Sequence, residues 1–300
     1  MSAARGNASS VAAFLLIALI WGSTWLVIKD QISAVPLGWT VTWRFLLAAI
    51  GMFALALVRR DPLWLEPAAM RLALMVGLFQ FFGNFQLVYR SEHYLASGLV
   101  AVMFALLLVP NAVLARVFLG ARMTARFLAG SAVALGGIAM LLIHEYRAAP
   151  AGEAVLTGAA LVCGALLCAS TSNVLLAGPL ARRQPAVPLI GWAMVWGTLA
   201  DALFAWVTTG APQFDPRPQY VWGVVYLALI GSVVTFPLYF ALIRDWGPGK
   251  AAYNGVLVPV VAMALSTAFE GYRWTALAAA GSVLALSGLL IALGGREARG

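Results

Sequence analysis

Long apolar runs separated by short polar breaks cover the chain from end to end. Ten runs, at 11–28, 37–58, 68–89, 95–118, 125–143, 154–176, 189–208, 220–243, 251–269 and 275–294, approach the length that crosses a bilayer, for which about 20 apolar residues are needed. The breaks combine charge with turn chemistry: Lys29-Asp30 to Pro36, Arg59 to Pro62, Arg90 to His93, Gly120 to Thr124, His144 to Glu153, Gly178-Pro179 to Pro188, Gly210 to Pro218, Arg244 to Lys250 and Glu270 to Trp274. The pattern predicts an all-α polytopic membrane protein with no soluble domain. The first run ends in bulky Trp25 and lacks a small-residue cleavage site, so it reads as a mature helix rather than a signal peptide.

Composition agrees with that reading. Hydrophobic residues make up 63% of the chain and charged residues only 10%, against about a quarter charged in ordinary soluble domains. If the N-terminus is cytoplasmic, thirteen basic residues, Arg59, Arg60, Arg182 and Arg183 among them, fall on the inside, and five (Lys29, Arg90, Arg147, Arg217 and Arg273) fall outside. This positive-inside bias places both termini in the cytoplasm. The net charge of +8 is spread over loops, not gathered on a face that would fit nucleic acid.

The second half echoes the first. Gly38-Trp39-x-x-x-Trp43 returns as Gly191-Trp192-x-x-x-Trp196, Ser23-Thr24 as Ser170-Thr171, Pro110 as Pro259, and Gly130-x-x-x-Ala134 as Gly281-x-x-x-Ala285. Five helices per unit is an odd number, so the second unit must enter the membrane in the opposite sense. The expected architecture is a 5+5 inverted repeat, residues 11–143 and 154–294. Transporters use this arrangement and bind substrate near the midplane between repeats.

Trp21-Gly22-Ser23-Thr24 followed by Lys29 resembles the first-helix signature of the drug/metabolite transporter superfamily, EamA type. Trp43-Arg44-Phe45-Leu46-Leu47-Ala48 resembles its second-helix stretch, and Leu119 to Thr124 and Phe269 to Arg273 resemble its turns after helices 4 and 9. The turns depart from the family pattern, with Ala121 in place of glutamate and Phe269 in place of glycine. No role is carried over for Glu270, which reads as a helix end in water. The resemblance implies an exporter of small metabolites, amino acids (aromatic ones included) among them, in the bacterial cytoplasmic membrane.

Several polar residues lie too deep for lipid. Arg44 sits about 10 Å inside helix 2, where a charge by default suggests function. Its guanidinium suits a carboxylate, and it equally suits snorkelling or neighbouring carbonyls. Asp201 is the acidic residue deepest in a span, and pairing with Arg44, titration as a coupling group and backbone bonding all remain open for it. Gln80 and Asn84 share a face of helix 3, and Trp21 and Trp25 are spaced the same way in helix 1. Trp21, Arg44, Gln80, Asn84, Tyr239, Tyr253 and Asn254 are the candidate substrate residues, and Pro110, Pro237 and Pro259 the candidate hinges. Mid-membrane proline frees carbonyls that protein, water or ligand must satisfy.

The sequence carries no phosphate loop, no metalloprotease spacing and no nucleophile elbow, so neither an ATP-driven pump nor an enzyme is expected, and no cofactor or metal. The function expected is alternating-access export of amino acids or similar small metabolites. The alternatives are a passive channel, a non-transporting membrane partner or, last, a lipid-modifying enzyme. The expected partners are a small-molecule substrate and the bilayer. The oligomeric state stays open, a homodimer included.

Overall fold

The computed structural model describes residues 2–32, 35–148, 152–239, 242 and 253–294. It is helical throughout. In chain order the helices are α1 (Ser2–Gln31), α2 (Leu37–Arg59), α3 (Pro67–Ser91), α4 (Ser97–Leu119), α5 (Ala125–Ala148), α6 (Gly152–Ala177), α7 (Ala186–Thr209), α8 (Pro218–Tyr239), α9 (Asn254–Phe269) and α10 (Ala276–Gly294). Among the described residues nine are long and apolar enough to cross a membrane, and α9, with 16 residues, is apolar but shorter. The expected connection from Arg244 to Lys250, and the expected start of helix 9 at residue 251, lie outside the described residues.

Local chemistry explains the helix ends. Pro67 and Pro218 open α3 and α8 in the first turn, where a missing N–H costs nothing. Gly120 closes α4 with φ +68°, a left-handed cap that glycine adopts freely. Two helices run beyond the breaks that the charges suggested. Helix α1 continues through Lys29-Asp30 to Gln31, whose amide donates to the Tyr220 carbonyl in α8. Helix α3 continues through Arg90 to Ser91, because Arg90 folds back onto the carbonyl of Gln86 and Ser91 onto that of Val88. Charge signalled water there, but the protein supplies the partners.

The packing repeats under an exchange of halves. Helix α1 packs on α9 as α6 packs on α4; α2 packs on α8 as α7 packs on α3; α3 meets α6 as α8 meets α1. The pairs α2–α7, α4–α9 and α5–α10 are their own images. Two cores result, and each draws on both repeats. One gathers α2, α3, α7 and α8 around Phe45, Phe81 and Met194. The other gathers α4, α5, α6, α9 and α10 around Leu99, Leu141 and Met263.

The duplicated motifs occupy image positions. In α2, Trp39 and Trp43 stack at 5.8 Å and donate to the carbonyls of Gly210 and Gln213, in the α7–α8 connection. In α7, Trp192 donates to the Leu63 carbonyl in the α2–α3 connection, and Trp196 reaches Met70 of α3. Trp39, Trp43 and Trp192 thus fasten the connection that follows the other repeat's second helix. The duplicated glycine faces of α5 and α10 form a close seam. A Cβ at Gly130 would fall 2.6 Å from the Gly288 carbonyl oxygen, and one at Gly137 2.6 Å from that of Gly281.

Candidate functional site

Both repeats break helical register at one corresponding place. Helix α3 winds as a π-helix over Gly77–Asn84, and α8 does so over Tyr226–Val234. Ser232 and Thr235 donate to the carbonyls five residues back, Leu227 and Ile230, and so reinforce the wider turn. Stretches of π-helix are uncommon and frequently mark functional sites. Each carries a glycine against the opposite repeat: a Cβ at Gly83 would lie 3.1 Å from Cys168 in α6, and one at Gly231 3.2 Å from Thr24 in α1. Sequence reasoning missed both stretches. Their nearest signal was Gly83 and Gly231 inside otherwise continuous apolar runs.

The Trp-Gly-Ser-Thr segment of α1 clamps the second π-helix. Ser23 hydrogen-bonds the Tyr226 hydroxyl at 2.7 Å, and the Trp21 indole N–H donates to the Gly231 carbonyl at 3.2 Å. Gly22 between them lets α9 approach, since a Cβ there would lie 2.6 Å from Val261. The Trp21 ring also lies 5.1 Å from Tyr239 and 6.0 Å from Phe236. Two of the expected site residues, Trp21 and Tyr239, therefore form one aromatic wall between α1 and α8.

The other candidates lie in or beside α3, α4, α8 and α9. Asn254 at the start of α9 is buried and donates to the Phe14 carbonyl of α1, while its Oδ1 has no partner among the described residues. Tyr253 beside it is half-buried. In the first π-helix Gln80 is half-buried and Asn84 is 2% exposed, its Oδ1 likewise unpartnered. Pro110 follows a 3-10 turn at Ala105–Leu107 that interrupts α4, where its missing N–H and ring bulk disturb the preceding turn. Pro237 follows the π-stretch of α8, and Pro259 is buried within α9.

Arg44 lies apart from that wall. It is 4% exposed, donates to the Tyr89 hydroxyl at 3.1 Å and stacks over Phe85 and Phe45 at 4.6 and 5.1 Å. It neither snorkels nor caps carbonyls. Nor does it pair with Asp201. That carboxylate, fully buried, accepts from the Gln86 amide at 2.6 Å, and Gln86 Oε1 in turn accepts from Arg90. A polar layer of Arg44, Tyr89, Gln86, Asp201 and Arg90 thus joins α2, α3 and α7.

At the ends of α1, α3, α4 and α9 lies a second polar cluster, absent from the sequence expectations. The Lys29 ammonium donates to the carbonyls of Glu92 and Leu95. Glu270 accepts from the backbone N–H and hydroxyl of Ser97, at 3.2 and 2.7 Å, and from Ser266. Glu270 is therefore a link between α9 and α4 and not a helix end in water. Burial pushes the Glu92 carboxyl well above the usual carboxylate range; Lys29 opposes the shift and Glu270 adds to it. Here α1 packs on α4, with Trp25 against Phe104 at 5.2 Å. The contacts of α1 with α4 and of α4 with α9 close the bundle at the Glu92 end.

The sequence model of the EamA-like transporter family matches residues 8–143 and again residues 156–294. A relative named "Uncharacterized inner membrane transporter YedA", from Escherichia coli strain K12, is 27% identical over 286 residues, which cover 92% of this chain and 88% of that one. A relative named "Probable amino-acid metabolite efflux pump", from Salmonella typhimurium strain LT2, is 24% identical over 296 residues and 95% of each chain. A solved crystal structure, 18% identical, superposes with a TM-score of 0.67 over 95% of this chain and 96% of its own. The last likeness concerns the fold alone.

Proposed function

We propose that this chain, which belongs to the EamA-like transporter family, exports amino acids or similar small metabolites across a bacterial cytoplasmic membrane by alternating access. The observation that carries the mechanism is the closed end of the bundle at Glu92, set in a repeated pattern of helix contacts. Two repeats with matching contacts make two equivalent gates possible, one at each end. In this conformation α1 and α4 meet at the Glu92 end, which supports a closed gate there, and the inverted repeat supports a second state closed at the other end. Exchanging those two states moves a central site from one face to the other. The excess of basic residues in the connections at the opposite end supports a cytoplasmic location for that end and for both termini, so that cargo enters from inside.

The substrate class rests on three supports. Relatives are named for amino-acid metabolite efflux and amino-acid export. The Trp21–Tyr239 wall suits a variable side chain, aromatic ones included. The unpartnered amide oxygens of Asn84 and Asn254 suit the ammonium that all amino acids share. Gln80 and Tyr253 complete the proposed lining, and Pro110, Pro237 and Pro259 supply the places where helices bend. Rings discriminate shape only modestly, so the site accepts a range of side chains. Expression of the chain in cells that overproduce amino acids tests the reading. Amino acids should accumulate in the medium faster than from cells with empty vector, and unchanged efflux of every amino acid would oppose it.

A further inference from the structure

The closed end holds ionisable groups that the proposed transport path does not use. Glu92 is fully buried, and neither carboxylate oxygen has a hydrogen-bond partner among the described residues. Lys29 lies beside it but directs two of its three N–H donors to the carbonyls of Glu92 and Leu95. Glu270, facing from α9, is held through one oxygen by Ser97 and Ser266, and its other oxygen is buried without a partner. Arg44 of α2 acts on Glu92 from a distance, and Tyr89, Arg90 and His93 flank it in its own segment. An ionised carboxylate that is dry and has no donor is costly, whereas the neutral acid is far less so. Two links, from Lys29 to the α3–α4 connection and between Ser97 and Glu270, therefore enclose a group that fits best when protonated.

We propose that Glu92 is a proton-binding site whose occupancy keeps this end of the transporter closed. One proton from water joins a carboxylate oxygen of Glu92 as α1, α4 and α9 come together. It returns to water when they part and Lys29 becomes free to pair with the anion. The inference rests on the alternating-access reading and names what couples to it. The sign follows from burial. Closure raises the proton affinity of Glu92, so the closed end is fully favoured in acid and loses that support as pH rises through the elevated closed-state value. His93 moves the other way: burial, with Lys29 and Arg90 alongside, lowers its proton affinity.

Spin labels at Tyr94 and Arg273, in protein with Cys163 and Cys168 replaced by alanine and held in lipid nanodiscs, would read the opening directly. A short distance should dominate in acid, and a longer one should grow as pH rises. Glu92→Gln should stay short throughout, and His93→Asn should respond as the parent does. A distance indifferent to pH, or a Glu92→Gln protein that keeps the parent's response, overturns the proposal. Should Glu92→Gln fail to fold, the parent's infrared spectrum decides. The C=O stretch of a protonated acid should be present in acid and fade as the long distance grows, and its absence in acid overturns the proposal. Opening is read here without flux. A pH-driven opening in a protein that moves no amino acid would sink the substrate reading and leave the proton site standing. Amino-acid flux without pH-driven opening would do the reverse.

Discussion

The indole N–H of Trp21 donates to the carbonyl of Gly231 at 3.2 Å, inside the π-helix of the opposite repeat. A side chain of α1 thereby satisfies backbone that a wide turn leaves less well bonded. The same ring packs beside Tyr239 and Phe236, so one residue fixes the π-helix and belongs to the proposed lining.

Two substitutions separate those roles. Trp21→Phe keeps a ring beside Tyr239 and strands the Gly231 carbonyl, which should cost about 1–3 kcal/mol of stability and leave substrate affinity nearly unchanged. Trp21→Ala should also weaken binding of aromatic amino acids by about tenfold, or about 1.4 kcal/mol. Melting temperature and equilibrium binding on purified protein check both. Parental affinity in folded Trp21→Ala would make the residue a packing element only.

Arg44→Lys keeps the charge and loses the flat guanidinium that spans Tyr89, Phe85 and Phe45. The structure-based expectation is a loss of about 2 kcal/mol in stability, with amino-acid affinity within about twofold of the parent, well inside the tenfold that 1.4 kcal/mol represents. A tenfold fall in affinity with an unchanged melting temperature would instead put the guanidinium on the substrate carboxylate.

Asp201 divides structure from coupling in the same way. Asp201→Ala leaves the buried Gln86 amide without its acceptor and should destabilise by about 1–3 kcal/mol. Asp201→Asn keeps an acceptor oxygen and should fold. If Asp201 only orders the Gln86–Arg90 layer, Asp201→Asn should transport with the parent's dependence on a proton gradient. Loss of that dependence in a well-folded protein would show that Asp201 titrates during the cycle.

Much of this architecture is legible from the chain because hydropathy and turn chemistry are local properties. The ten apolar runs, the paired tryptophans and the α5–α10 glycine seam all follow from residue type and spacing. Register is another matter. Nothing in Gly77–Asn84 distinguishes a π-helix from an α-helix by composition, since the wider turn depends on what α6 and α7 press against it. Glu92 reads only as part of a polar break, and Glu270 as a helix end in water, for a related reason. A charge beside a helix end reads as solvated, and only the meeting of α1, α4 and α9 shows that it is enclosed. Arg44 and Asp201 were visible as buried charges, but their actual partners, Tyr89 and Gln86, look like ordinary polar residues of helix 3.

The orientation inferred from the basic loops has its own test. In protein lacking Cys163 and Cys168, Pro62→Cys and Arg183→Cys should be shielded from an impermeant thiol reagent in intact cells, and Pro212→Cys should react. The opposite pattern would invert the direction of transport.

Purified protein in liposomes gives the most direct test of the central claim. Vesicles loaded with an unlabelled amino acid and diluted into its radiolabelled form should take up label by exchange. Uptake should saturate, compete with other amino acids and disappear in Asn84→Ala with Tyr253→Ala. Flux that rises linearly with concentration would indicate a channel. No exchange for any amino acid, in protein shown to be folded, would contradict the account.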